Sequence, residues 1–337
     1  MTSVPSVRPR VSFPQISGVT WEHPADRAAL QALRAVPGFD DIVRKIVAFL
    51  GGERGIRLLF QGNAVRCGPQ QYPMVYAIHV EVAATFDWPT LPELYVTQTP
   101  IFNAGAYGVD DPFIVVHSAA LELLNEEEIR VLLAHEMGHV VSGHSLYRTI
   151  AEILLMVSLG SLPFLAGIAL LPIRLAVLEW SRKAELSSDR AGLLGSQNMI
   201  ASQQLFMKMA GAYRGALESG QMAVDPFINQ ASEYLATNDG LDFVYKLVNT
   251  LALTHPMHTV RAAELQRWIA SGDYERILRG EYVRRGSEAK QRSVRSDFAE
   301  AKDFYATEFK EARAKVTEAA KKAAEAARDA FRKAQQK

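Results

Sequence analysis

The spacing of apolar residues changes several times along the chain, and each change marks an element. In ADRAALQALRAV and again in FDDIVRKIVAFL, apolar positions recur every three or four residues, with Pro37 and Gly38 between them. This pattern predicts two short helices within residues 24–50. Residues 55–60 read as a strand and 73–86 as a further amphipathic helix. Between Leu91 and His117 the period shortens: ELYVTQ, IFNAGAYG and DPFIVVHS read as three strands, with Gly108 and Asp110-Asp111-Pro112 marking a turn. The helical period then returns. Asn125 and Glu128 have the spacing of a capping box, Glu126, Glu127 and Glu128 suit the positive end of a helix dipole, and Ile129, Leu133, Met137 and Val140 form one apolar stripe.

Two later stretches stand apart. Residues 153–173, ILLMVSLGSLPFLAGIALLPI, carry no charge and have about the length of one membrane span. Beyond residue 287 the composition shifts to Ala, Lys, Glu and Arg, and Phe298, Ala301, Tyr305, Phe309 and Ala312 begin a stripe at helical spacing. Together these patterns predict an α+β fold, mainly helical, with a flexible tail over 1–20, one domain over 21–285 and a charged amphipathic helix over 287–337. That last helix reads as solvated and loosely packed, or as a site of self-association, or as a membrane-surface helix. The chain has 337 residues with 37 basic and 37 acidic side chains, so its net charge gives no argument for a nucleic-acid partner. Its single cysteine, Cys67, excludes internal disulfides and multi-thiolate metal sites. MTSVPSVRPRVSFPQISG lacks the apolar core of a secretory signal, so the site is expected to face the cytosol.

The candidate chemistry sits on the helix after Asn125, where His135, Glu136 and His139 spell H-E-x-x-H. Residues i and i+4 share a helix face, so two imidazoles can converge on one metal ion, and Glu136 can reach a water on it. A zinc peptidase needs these parts: a Lewis acid and a carboxylate base. The plainer reading is a core helix that carries two histidines. Gly138 costs roughly 1 kcal/mol in a helix interior, which implies close packing beside the histidines.

A catalytic zinc takes a third protein ligand. His144 does not fit the H-E-x-x-H-x-x-G-x-x-H pattern, because Ser142 and Ser145 stand where its Gly and last His belong. Glu185 and Asp189, spaced i, i+4 in EWSRKAELSSDRA, read either as a ligand with its supporting carboxylate or as an exposed acidic face. An edge strand near Asn103–Tyr107 would let an extended substrate pair over the metal; an ordinary protected edge is the equal alternative.

HEMGH, the apolar stretch, SRKAELSSDRAG and THPMHTVRAAEL together resemble the HtpX-like and CAAX prenyl protease family of gluzincin metallopeptidases. PELYVTQTPIFNAGAYG is similar to its substrate strand, and the likeness covers about residues 92–265. The resemblance implies a zincin-type domain with a small sheet over the zinc helix. Residue by residue, it implies His135, His139 and Glu185 as ligands of one Zn2+ and Glu136 as general base. Asp189 and Arg261 become supporting residues, His255 an oxyanion stabiliser, and Asn103 and Ala104 substrate-binding positions. Ser188 stands where the family often has Ala.

Because ligands lie on both sides of the apolar stretch, the chain must leave and return on one side. Two full spans need roughly 40 apolar residues, more than this stretch supplies. A helical hairpin over 149–178 is therefore expected, turning near Gly160, Ser161 and Pro163, with Arg148, Arg174, Arg182 and Lys183 at its base. It either dips into one leaflet or is buried in protein. The combined reading is a zinc endopeptidase acting on polypeptide substrates, in protein quality control at the cytoplasmic side of a membrane or in the cytosol. The alternative is a non-proteolytic, membrane-associated scaffold with a structural zinc. Prenyl-protein cleavage would need a long apolar chamber, which one short insert does not provide.

Overall fold

The computed structural model describes residues 10–34, 52–108, 110–156, 164–217, 219–236 and 257–288, together with positions 39, 43 and 45. Its elements run α1 (Pro24–Arg34), α2 (Gly52–Asn63), β1 (Val65–Arg66), α3 (Pro73–Thr85), β2 (Leu94–Thr97), β3 (Ala104–Tyr107) and β4 (Phe113–His117). They continue as α4 (Ser118–Leu123), α5 (Glu126–Val141), α6 (Ser145–Met156), α7 (Phe164–Ser196), α8 (Met199–Ala210), α9 (Val224–Ala236), α10 (His258–Ala270) and α11 (Asp273–Leu278). The result is a mainly helical α+β fold.

Helix α5 is the centre of the packing. Its capping box is formed: the Glu128 amide donates to Asn125 Oδ1 at 3.0 Å and the Asn125 amide to Glu128 Oε2 at 2.8 Å. Lys208 of α8 also donates to that carboxylate at 2.6 Å, in a buried ion pair. Every residue from Glu128 to Val140 is buried, so neighbours enclose the helix all round. Against one side lies α7, and small residues set the separation. A β-carbon on Gly138 would fall 2.5 Å from that of Ala191, and one on Gly195 would fall 2.5 Å from that of Ala134. The close packing implied by Gly138 is thus with α7.

The sheet has the order β1-β2-β4-β3, with β2 and β4 parallel and the outer pairs antiparallel, so β3 is an edge strand. Alternation sorts its side chains. Leu94, Val96, Ala104, Ala106, Ile114 and Val116 join the core with α5, while Tyr95, Phe113 and Val115 face α2. Here the expected strand over 55–60 is corrected to a helix. Ile56 and Phe60, one turn apart, meet this aromatic face, and Leu58 and Leu59 point to solvent. On a strand, Ile56, Leu58 and Phe60 would have shared one face.

The tail expected over 1–20 needs a second correction. Phe13 and Ile16 are fully buried, the Phe13 amide donates to Thr85 O, and the Ser17 amide donates to Val283 O. Residues 10–20 therefore form a strap over the core, held by a few separate apolar anchors rather than by a periodic stripe.

Helices α6 and α7 flank residues 157–163, so the expected hairpin turn lies outside the described residues. At the hairpin's base, Ile150, Ala151, Val177, Trp180 and Ala184 pack with Leu33 of α1 in a second core. Among the described residues, no helix is long and apolar enough to cross a membrane. The helix expected over 287–337 lies outside the described residues beyond position 288.

Two predictions follow from this packing. Gly138→Ala forces a methyl group into the α5–α7 contact and destabilises the protein by about 1–3 kcal/mol, measured by urea unfolding; wild-type stability would disprove the close contact. His79 is fully buried on α3 and donates to Pro92 O at 2.8 Å, and burial lowers its pKa despite that bond. The unfolded chain takes up this proton below about pH 6.5 and the folded chain resists it. Stability is therefore full above that pH and falls below it. His79→Gln, measured at pH 7.5 and 5.5, is expected to lose less stability on acidification than wild type.

Candidate metal centre

One turn of α5 and one of α7 bring the candidate residues together. His135 and His139 project from α5 towards α7, and Glu185 projects back from α7; one atom of each lies within 4.8 Å of the others. His135 Nε2 and His139 Nε2 are 3.2 Å apart. Glu185 places Oε2 3.4 Å from His135 Nε2 and Oε1 3.3 Å from His139 Nε2. An ion with tetrahedral bonds of about 2.0–2.1 Å holds its donor atoms roughly 3.3–3.4 Å apart, so this donor set fits such an ion. Glu136, 2% exposed, has an Oε2 without a hydrogen-bond partner. A buried carboxylate oxygen left open in this way is available to a proton donor beside the donor set.

The surrounding charges are paired. Asp189, one turn beyond Glu185, lies 3.0 Å from His135 Nδ1 and accepts two bonds from Arg261 at 2.9 and 2.6 Å. Arg261 also reaches Glu185 Oε2 at 3.2 Å. Burial opposes the charged forms of these groups, but the guanidinium of Arg261 holds the Asp189 pKa below the usual range, and the carboxylates keep Arg261 charged. For His135, burial acts to lower the pKa, but the charge of Glu185 and the bond to Asp189 outweigh it and raise the value to about 9. A metal taking His135 Nε2 would therefore displace a proton at neutral pH. His139 titrates well below the usual range, because of burial first and the charge of Arg148 second.

Of the residues picked out in the sequence, His135, Glu136, His139, Glu185, Asp189 and Arg261 meet here. Glu185 and Asp189 are buried, which removes the reading of them as an exposed acidic face. His255 lies outside the described residues. Asn103 and Ala104 sit at the start of edge strand β3, which packs against both α5 and α6. The His117 amide donates to Asn103 O, so by alternation Gly105 and Tyr107 face β4, and Ala104 and Ala106 direct their backbone groups outward. Asn103 Oδ1 caps the Ala104 amide at 2.9 Å.

Arg148 is the main surprise. Expected at the base of the hairpin towards a membrane surface, it is instead buried in the centre. Its Nη1 donates to His139 Nε2 and to Glu185 Oε1, each at 2.5 Å. The guanidinium thus uses electron pairs that a metal would need. It belongs to the next helix, and no spacing within α5 or α7 singles it out.

A helix-borne pair of histidines one turn apart, with a glutamate beside the first and another delivered by a second helix, is the arrangement that metallopeptidases use to hold a metal ion. The chain belongs to Peptidase family M48, whose family model matches residues 69–269. It is 32% identical over 278 residues to the plastoglobule-localized metallopeptidase 48 of Arabidopsis thaliana, covering 80% of this chain and 78% of that one. A protease HtpX homolog of Caldanaerobacter subterraneus is 26% identical, over 62% of this chain and 67% of its own. The metalloprotease YcaL of Escherichia coli is 25% identical, over 53% and 62%. No solved structure matches.

Charge-assisted hydrogen bonds contribute about 1.5–3 kcal/mol, so Arg148→Met is expected to tighten metal binding by about 10- to 100-fold. Competition with a chromophoric chelator measures this, and unchanged or weaker binding would show that Arg148 is no competitor.

Proposed function

We propose that the chain is a zinc endopeptidase of the gluzincin type, with His135, His139 and Glu185 as ligands and Glu136 as general base. The observation that carries this reading is the unpartnered Oε2 of buried Glu136 next to a donor set of two imidazoles and a carboxylate at tetrahedral spacing. Two nitrogens and one carboxylate are a common donor set of catalytic zinc, and a purely structural site would have no use for an adjacent open base. When bound, zinc supplies Lewis-acid polarisation of the scissile carbonyl and lowers the pKa of the attacking water to about 7. Glu136 takes the proton of that water and returns it to the amine nitrogen as the C–N bond breaks. Asp189 accepts a hydrogen bond from His135 Nδ1 and so fixes the ring with Nε2 turned to the ion. Arg261 holds Asp189 and Glu185 in place.

The substrate is an extended polypeptide laid along β3, paired with the outward backbone groups of Ala104 and Ala106. His255 is assigned to the oxyanion on resemblance alone. We extend the reading to quality control at a membrane surface on one ground, the charge-free stretch over 153–173.

Glu136→Gln is the test. The purified variant is expected to bind zinc as wild type does and to cleave casein about 10²- to 10⁴-fold more slowly; chelation should abolish wild-type cleavage, and zinc should restore it. A Glu136→Gln protein that cleaves at the wild-type rate would overturn the mechanism.

A further inference from the structure

His135 has a carboxylate behind it; His139 has another histidine. His139 Nδ1 lies 3.2 Å from His144 Nδ1, and His144 Nε2 lies 3.3 Å from Asp26 Oδ2. The direction of this chain of bonds is fixed by Arg148, which can only donate. Since it donates to His139 Nε2, that nitrogen carries no proton, and His139 Nδ1 must. His144 Nδ1 then accepts, and His144 Nε2–H donates to Asp26. A doubly protonated His144 would instead point a proton at the proton of His139.

Asp26 is fully buried, its Oδ1 has no hydrogen-bond partner, and its Oδ2 also accepts from Ser187 Oγ at 2.5 Å. No lysine or arginine among the described residues lies in ion-pair range of it. The charge of Arg190 acts on Asp26 without forming an ion pair with it, and a buried anion with no direct ion pair to Lys or Arg is costly. A cation bound at the far end of the relay would offset that cost.

We propose that Asp26 and His144 are positioning residues of the metal centre: the Asp26 charge, passed through the His144 imidazole, orients His139 and strengthens it as a donor. This rests on the reading of His139 as a ligand. Asp26 lies on α1, outside residues 69–269 that match the family, so part of the metal affinity of this chain comes from its N-terminal helix. His144, which failed the spacing for a direct ligand, acts one bond further out.

The test measures zinc affinity by chelator competition on the full chain, together with the visible spectrum of the cobalt(II) form and the melting temperature of the metal-free protein. His144→Phe and Asp26→Asn are expected to weaken zinc by about 10- to 100-fold and to shift the cobalt bands. His144→Gln, which can accept and donate at once, is expected to retain wild-type affinity. Ser187→Ala leaves the relay in place and is expected to do the same. Wild-type zinc affinity in Asp26→Asn would overturn the proposal even if His144→Phe fails to fold. A loss in Ser187→Ala as large as in Asp26→Asn would also overturn it, by showing general disorder around α1. His139→Ala is measured alongside: undiminished zinc binding there would overturn the ligand reading itself.

Discussion

The close crossing of α5 and α7 is the constraint on which the rest depends. Two imidazoles on one helix can meet a carboxylate on another only if the backbones approach closely, and side chains of ordinary size would hold them apart. Ala134 and Gly138 on α5, facing Ala191, Gly192 and Gly195 on α7, remove that obstacle. The burial of α5 on every side follows, since a helix pinned this tightly on one face must be braced by α3, the sheet and α8 on the others. The capping box and the Lys208–Glu128 pair then fix where the helix begins, and so where along the crossing His135 and His139 fall.

Electrostatics complete what packing starts. Glu136, Glu185, Asp189 and Asp26 are all buried within a small volume, which water-depleted surroundings tolerate only with compensation. Arg261 and Arg148 supply part of it. The histidines occupy the boundary: one is pushed towards its charged form by Glu185 and Asp189, the other away from it by burial and Arg148. Opposed environments of this kind on residues one turn apart mark a candidate functional site.

What the sequence made legible was local. The period of α5, its cap, the H-E-x-x-H spacing and the three strands over 94–117 depend on residues a few positions apart, and they were readable for that reason. The spacing of Glu185 and Asp189 marked both residues without deciding between a ligand pair and a solvated face, because burial is set by α5 and not by α7. Asp26 gave no signal, His144 was set aside because its spacing fails for a direct ligand, and Arg148 was placed at the hairpin base, because each acts through a neighbour from a different element. The strap over 10–20 was misread because Phe13 and Ile16 are isolated apolar residues among prolines and serines, without a period. The helix over 52–63 was misread because six residues alternating Ile, Leu and Phe satisfy either geometry until the aromatic face of the sheet selects one.

The distribution of the centre along the chain bears on when it can exist during synthesis. Its parts come from Asp26 at one extreme and Arg261 at the other, with His135, His139, Arg148 and Glu185 between. On a ribosome the chain emerges from its N-terminus, so α5 and α7 can pack while α10 is still unmade. At that stage Asp189 and Glu185 lack Arg261, and two buried carboxylates repel beside the histidines. The complete cluster therefore forms only after almost the whole domain has left the ribosome, so its charges are balanced last, by the helix that is made last among those that build it.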